Sequence, residues 1–392
     1  MRLTLPISIC VAVLAAGAHG GPVYPTREET RELFTTSRFE ILDQRFSDIQ
    51  TAYRDGAISE VELRNAFRVF YDPDSALEKW FEAWVTHSPK SYVAHLARGI
   101  YYKYVGNERR GSGFASETSA AQFEGMRAAN SIAAHEFAAS LLLETKPLLT
   151  YHHAIDLASD SGDHERERAL LDKAIAIDPH TYIVREKFMG TLRTRWGGSP
   201  AQMRTFLAEC RNAGLTGGQL KTLESLVLED EAWVKQYRDH DEQGAVTKYR
   251  EAAALDSHRN CGPCGPMVQA AELSLNRKDY DGAVQLYSEA LAHNPDLVAA
   301  LNGRGYAQAE LGKRKLAAED FLRSAQLGDP YGQTALAKML LISDAPNEEE
   351  AAAWLEKAVA QGYQPAQELL QAVRGEPAIP AAGSRPTTLL SR

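Results

Sequence analysis

Two cysteines of this 392-residue chain have the spacing of a reactive thiol pair. Cys261 and Cys264 are separated only by Gly262 and Pro263. If such a pair stood at a helix N-terminus, the helix dipole would lower the pKa of the first thiol and favour its nucleophilic thiolate form. The spacing is therefore compatible with thiol–disulfide exchange.

The sequence around the pair favours a different interpretation. A catalytic pair of this kind requires a preceding strand in a βαβ unit, whereas a helical pattern precedes Cys261 and Asn260 lies directly before it. We expect a structural disulfide between Cys261 and Cys264. Catalytic thiols, metal binding and free thiols are the alternatives. Cys210 would then be an odd cysteine, which we expect to be buried on a helix.

His152 and Asp156 lie one helical turn apart, which is a spacing used by metal ligands. Two candidate ligands are too few for a closed zinc site, and the sequence has no HExxH motif, glycine-rich phosphate loop or nucleophile elbow. We therefore predict no metal, no cofactor and no enzymatic activity. A cell-envelope enzyme with an unrecognised site in the N-terminal module remains an alternative.

Several aromatic and basic residues could instead line a ligand groove: Trp80, Trp84, Arg98, Arg195, Trp196 and Arg304. The loop that follows Arg195 and Trp196 also has a structural explanation. Gly197 can end one helix in the left-handed conformation, and Ser199 can cap the next. Trp196 would then be a core anchor. In the alternative, Arg195 and Trp196 contact a peptide or a sugar.

The elements that must position these residues are helices. A passage rich in small residues occurs twice, at 93–99 and at 299–305, and each copy is followed by another glycine seven residues later. Small residues at fixed spacing allow helices to pack closely in a stacked repeat. Helical periodicity extends over most of the chain. We therefore predict an all-α protein, a right-handed α-solenoid of antiparallel helix pairs.

The C-terminal half has a period of about 34 residues. Ala283, Tyr287, Ala290 and Pro295 follow the pattern of the second helix of the tetratricopeptide repeat (TPR), and parts of the pattern recur at Ala245, Tyr249, Ala252, Phe321 and Ala325. This region resembles TPR proteins. The segment 350–366 resembles the related Sel-one-like repeat. The resemblance implies a TPR-like array of helix pairs.

The N-terminal half resembles a bacterial module, the domain-of-unknown-function family 4034. The similarity lies in Phe39–Tyr53, Trp80–Gly99 and Met189–Phe206, within a region from about Arg38 to Ala213. It implies a divergent helical module and identifies no catalytic residue.

The ends of the chain differ from its centre. Arg2, the apolar run 3–16 and the small residues up to Gly20 have the layout of a secretory signal peptide. We expect a signal peptide at 1–20, the divergent module at 21–215, the repeat array at 216–374 and a disordered tail at 375–392. The protein would be exported, and periplasmic or secreted after cleavage.

Composition narrows the possible partners. The formal net charge is −9, which disfavours binding to nucleic acid, and no later segment is long and apolar enough to span a membrane. We predict a protein-interaction scaffold or adaptor that binds a polypeptide on its concave face. The alternatives are a glycan-binding regulator that uses Trp80, Trp84 or Trp196, an enzyme, and a thiol–disulfide oxidoreductase.

Overall fold

The computed structural model describes residues 24–111, 117–255, 262, 265–343 and 345–375. Within these ranges every regular element is a helix and there is no strand, so the predicted all-α class is confirmed. The predicted signal peptide, the Cys261 and Cys264 thiols and the residues after Gly375 lie outside the described residues.

The chain divides into two compact units between Thr191 and Leu192. The predicted module boundary at residue 215 stays a prediction. No helix in the described part is long and apolar enough to cross a membrane.

The first unit contains nine α-helices in its described residues: α1 Arg27–Thr35, α2 Phe39–Arg54, α3 Glu60–Phe67, α4 Glu78–His87, α5 Tyr92–Arg110, α6 Ala120–Leu141, α7 Leu148–Ser159, α8 His164–Ile177 and α9 Tyr182–Thr191. A capping box at Ser59 and Glu62 begins α3, because the two side chains satisfy backbone N–H groups that have no partner within the helix. Helix α5 packs along α6, and α7 packs against both α8 and α9.

The second unit continues with ten α-helices in the described part of the chain: α10 Pro200–Asn212, α11 Gly217–Tyr237, α12 Glu242–Leu255, α13 Pro266–Asn276, α14 Tyr280–His293, α15 Val298–Glu310, α16 Arg314–Gln326, α17 Pro330–Leu341, α18 Glu348–Ala360 and α19 Gln364–Arg374. From α11 onward, each helix packs against the helices before and after it. Helices α13, α15 and α17 begin at intervals of 32 residues, and α14, α16 and α18 at intervals of 34. This region is therefore a stack of repeated helix pairs.

The TPR-like residues lie in the core of these pairs. Ala283, Tyr287 and Ala290 are buried, and Pro295 follows the end of α14. The small residues also lie at helix contacts, as predicted. A Cβ atom added to Gly99 would lie 2.4 Å from the ring of Phe137. A Cβ atom on Gly305 would lie 2.8 Å from the ring of Phe321, and separations of that size are repulsive.

Candidate functional site

Trp84, one of the predicted groove residues, lies in the core of the first unit. Its side chain has no exposed surface, its ring packs against Phe34 and Phe70, and its indole N–H donates to Oδ1 of Asp43 at 3.3 Å. The prediction that Trp84 lines a ligand groove is wrong, because the apolar face of α4 packs against α1 and α5.

Arg98 and Arg304 occupy equivalent positions in the two repeated passages, and each forms an ion pair with the neighbouring helix. Arg98 Nη1 lies 2.7 Å from Glu136 Oε1. Arg304 donates from Nε to Oδ2 of Asp320 at 2.8 Å and from Nη2 to Oδ1 at 2.7 Å. Each arginine precedes a close-contact glycine, and each acid precedes the phenylalanine that packs on that glycine. Both arginines therefore join helices, and a ligand role for either stays a prediction.

The loop from Arg195 to Pro200 has the predicted backbone. Gly197 is left-handed, with φ of 93°, and the Ser199 side chain accepts from the Gln202 N–H at the start of α10. Trp196, however, is 50% exposed. Its assignment as a core anchor is therefore wrong, because the loop turns the indole towards solvent.

Arg195 lies 5.7 Å from the centre of the Trp196 ring. Trp80 in the first unit is partly buried, with the Lys79 ammonium 4.8 Å from its ring. A ligand role for Trp80, Arg195 and Trp196 stays a prediction. Cys210 is buried on α10, as expected.

His152 and Asp156 are engaged inside the first unit. Nδ1 of His152 lies 2.9 Å from the Ile183 carbonyl oxygen. The Asp156 carboxylate lies 3.1 Å from the Lys187 ammonium and 3.5 Å from that of Lys103. Burial opposes ionisation of Asp156, but the two lysines outweigh it and hold its pKa well below its usual range. Among the described residues, no group of three suitable side chains could hold a metal ion.

The Arg98–Glu136 pair is part of a buried network with His95. Nδ1 of His95 lies 2.6 Å from Glu136 Oε2, and its Nε2 lies 3.1 Å from the Pro89 carbonyl oxygen. Both ring nitrogens therefore face acceptors, an arrangement that the doubly protonated imidazolium satisfies. The hydrogen bond to Glu136 is the main reason that the pKa of His95 is raised, although burial and the nearby Arg98 act against it.

The His95 network should make stability depend on pH in a defined direction. Because the folded-state pKa is raised above 6.5, the stabilisation is fully present below that pH and is lost as pH rises through the folded-state value. Urea midpoints of the intact chain and His95→Gln should differ most near pH 5.5 and converge towards pH 9. A difference that grows with pH would contradict this assignment.

A groove lined by tyrosines lies on the second unit and is formed by residues of α13, α14, α15 and α17. Its volume is about 610 Å³, which is within the usual range for ligand-binding clefts. It is lined by Glu272, Leu275, Asn276, Lys278, Tyr280, Tyr287, Ala299, Asn302, Gly303, Tyr306 and Tyr331.

Tyr287 reaches this groove from α14 because Gly303 on α15 has no side chain. A Cβ atom on Gly303 would lie 2.2 Å from Cζ of Tyr287 and 2.5 Å from its hydroxyl oxygen. The ring therefore crosses α15 at a point that only glycine permits. Burial raises the pKa of Tyr287, so its hydroxyl remains a neutral hydrogen-bond donor.

Asn302 and Glu272 are polar residues of the groove lining. Nδ2 of Asn302 donates to Asp329 Oδ2 at 2.9 Å, but its Oδ1 is buried and has no hydrogen-bond partner among the described residues. Because this oxygen is buried, a ligand in the groove does not reach it. Glu272 also lines the groove, and loss of hydration raises its pKa.

Sequence reasoning did not identify this groove. The TPR-like spacing predicts Tyr287 as a packing residue, which its burial confirms, but no sequence pattern singles out Tyr280, Tyr306 or Tyr331. One sequence feature does point to this region: Gly303 and Gly305 lie two residues apart on α15. Gly303 accommodates the ring of Tyr287, and Gly305 accommodates the ring of Phe321. Two such glycines on one helix mark a place where side chains of the neighbouring helices cross it.

The fold defines the chain as an all-α helical-repeat protein. A family model described as "Domain of unknown function (DUF4034)" matches residues 26–165, which confirms the resemblance of the N-terminal half in that range. No curated protein matches the chain.

Three solved structures match this chain over most of its length. The chain is 15% identical to one from the "APC/C hetero-tetramer Cut9-Hcn1", with a TM-score of 0.38, over 88% of this chain and 54% of that one. It is 14% identical to the "P58(IPK) TPR Domain", with a TM-score of 0.25, over 89% of this chain and 96% of that one. It is 13% identical to "Yeast Tom70", with a TM-score of 0.34, over 89% of this chain and 95% of that one. This chain thus spans about half the length of the first.

Proposed function

We propose that the protein is an interaction scaffold that binds an extended polypeptide in the tyrosine-lined groove of its second unit. The observation that carries the proposal is a groove of about 610 Å³ whose lining includes four tyrosines, Tyr280, Tyr287, Tyr306 and Tyr331. Stacked helix pairs present such surfaces because successive repeats contribute side chains to the same face.

Each part of the groove has a role in this proposal. The rings of Tyr280, Tyr306 and Tyr331 provide rigid apolar contact area and their hydroxyl groups provide hydrogen bonds, a combination that is common at binding surfaces. Tyr287 is 2% exposed and supports the groove from below. The lining carries one acidic residue, Glu272, and one basic residue, Lys278, so the groove has no net preference for a charged side chain.

The proposal places this interaction outside the cytoplasm. Its support is the sequence pattern of residues 1–20, with Arg2 before an apolar run. The natural partner is then an exported or envelope protein. The specificity of the groove does not depend on this location.

A peptide selection tests the proposed function. A library of random displayed 16-residue peptides is selected on the immobilised chain, and the affinities of recovered peptides are measured for the intact chain and for Gly303→Ala. We expect at least tenfold weaker binding to Gly303→Ala, because the new methyl group displaces the Tyr287 ring. The same steric conflict should cost about 1–3 kcal/mol of stability.

Gly190→Ala provides the matched control. A Cβ atom on this helical glycine of α9 would meet nothing within 4 Å, so alanine should leave binding unchanged and add up to about 1 kcal/mol of stability. Recovered peptides that bind Gly303→Ala as tightly as the intact chain would exclude the groove as their site.

A further inference from the structure

We propose that the groove takes an uncharged, proline-rich segment of a partner in the polyproline II conformation, with a proline at every third residue. This inference rests on the proposed function, because it takes the groove to be a site for an extended polypeptide. It adds the chemical class of the polypeptide and the register in which that polypeptide lies along the helix pairs.

A row of tyrosines runs along the second unit, and successive helix pairs contribute one member each. Its members are Tyr280 at the start of α14, Tyr306 on α15, Tyr331 at the start of α17 and Tyr363 directly before α19. The first three line the groove, and Tyr363 continues the row beyond it. Each of these residues is partly exposed, in contrast to the buried Tyr287.

Neighbouring members of the row lie close to one another. After loss of hydration, the nearby Glu310 carboxylate is the largest cause of the raised pKa of both Tyr280 and Tyr306. Burial also raises the pKa of Tyr331, and the nearby hydroxyl groups of Tyr363 and Tyr306 add to this effect. Each hydroxyl group is therefore within electrostatic reach of the next one along the row.

The spacing of the row follows from the packing of the helices that carry it. Helix α13 packs against α15, and α17 packs against α19. Between α15 and α17, Nδ2 of Asn302, one turn before Tyr306, donates to Oδ2 of Asp329 at 2.9 Å. Asp329 lies two residues before Tyr331. Because helices in contact lie about 8–10 Å apart, the row presents one ring about every 8–10 Å.

A polyproline II segment has the matching repeat. It has three residues per turn and rises about 3.1 Å per residue, so every third residue faces the same side at intervals of about 9.3 Å. Prolines at that period can therefore contact the rings of successive helix pairs. Such a segment docks in an aromatic-lined groove at a low entropic cost, because its conformation is already formed before binding.

The polar groups of the groove suit the same ligand. A polyproline II backbone has no internal hydrogen bonds, so its carbonyl oxygens remain free to accept. The raised pKa of Tyr331 keeps its hydroxyl group protonated and able to donate to such a carbonyl oxygen. Glu272 and Lys278 contribute one charge of each sign to the lining, which favours a segment without net charge.

A helical ligand fits the groove less well. Amphipathic helices dock through their apolar face in hydrophobic grooves, but Leu275 is the single large aliphatic residue among the described residues that line this one. The backbone carbonyl groups within a helix are also bonded internally. The Tyr331 hydroxyl would therefore find few backbone acceptors on a helix.

Two peptides of identical composition test the proposed register. Both are uncharged, carry a fluorescent label and contain four prolines among alanines and glutamines; one has a proline at every third residue, and its isomer has the prolines at irregular intervals. Binding to the full chain is measured by fluorescence anisotropy. We expect the periodic peptide to bind at least tenfold more tightly. Equal affinities, or no binding of the periodic peptide, would overturn the inference.

The variant Tyr331→Phe locates the periodic peptide on the chain. It keeps the ring and removes the hydroxyl donor, so we expect about three- to tenfold weaker binding. Tyr237→Phe is the matched control, because Tyr237 is 55% exposed and does not line the groove; it should leave the affinity unchanged. Equal effects of the two variants, or no effect of either, would assign the peptide to another surface and overturn the inference.

The peptides selected on the intact chain separate this inference from the proposed function. Selected peptides that require Gly303 and have prolines at every third residue support both. Selected peptides that require Gly303 but have no such period would overturn the polyproline II inference and leave the proposed function standing.

Discussion

Replacing Trp84 by alanine should lower the free energy of unfolding by about 3–5 kcal/mol. The indole is fully buried, packs against Phe34 and Phe70 and donates to Asp43. The truncation therefore leaves a large cavity and an unpaired carboxylate oxygen. Trp196→Ala should change stability by no more than about 0.5 kcal/mol, because half of that side chain is already exposed.

Urea unfolding of the two variants, followed by circular dichroism, measures this difference. The same substitution is made in both variants, so the comparison isolates the environment of the indole. Equal losses of stability at the two positions would contradict the assignment of Trp84 to the core and of Trp196 to the surface.

Replacing Glu136 by alanine should also cost about 3–5 kcal/mol of stability. The carboxylate side chain is 2% exposed and lies between Arg98 and His95. Its removal leaves the Arg98 guanidinium partly buried without its counter-charge and removes the acceptor that favours the His95 imidazolium. The loss should be seen in urea unfolding at pH 6, where the network is intact.

Glu124→Ala is the control on the same helix, because Glu124 is exposed on α6. The free energy of unfolding of this variant should lie within about 0.5 kcal/mol of that of the intact chain. If Glu136→Ala is equally mild, the His95–Glu136–Arg98 network does not hold α5 and α6 together.

The fold could be predicted because the spacing of small and aromatic residues along the sequence matches the way in which the helices pack. The TPR-like spacing of Ala283, Tyr287 and Ala290 placed these residues in the core. The glycines of the repeated passage marked helix contacts, because only close packing requires small residues at that spacing. Both features can be read from a single sequence, because one depends on residue spacing within a helix and the other on the period of the repeat.

The candidate site could not be predicted in the same way. Whether Arg98 and Arg304 face a ligand depends on acids at Glu136 and Asp320, whose position opposite them is a property of the helix packing. The groove depends on Tyr287 crossing α15 at Gly303. In both cases the deciding contact joins two helices, and helical periodicity does not determine which side chains meet there.

Locating a selected peptide on the chain tests the central claim most directly. A peptide recovered by selection is synthesised with a photoreactive residue at its centre, bound to the intact chain and irradiated, and the adduct is mapped by mass spectrometry. Our account predicts adducts in 272–306 and at Tyr331, which line the groove. Adducts confined to the first unit, or to the surface around Trp196, would contradict it.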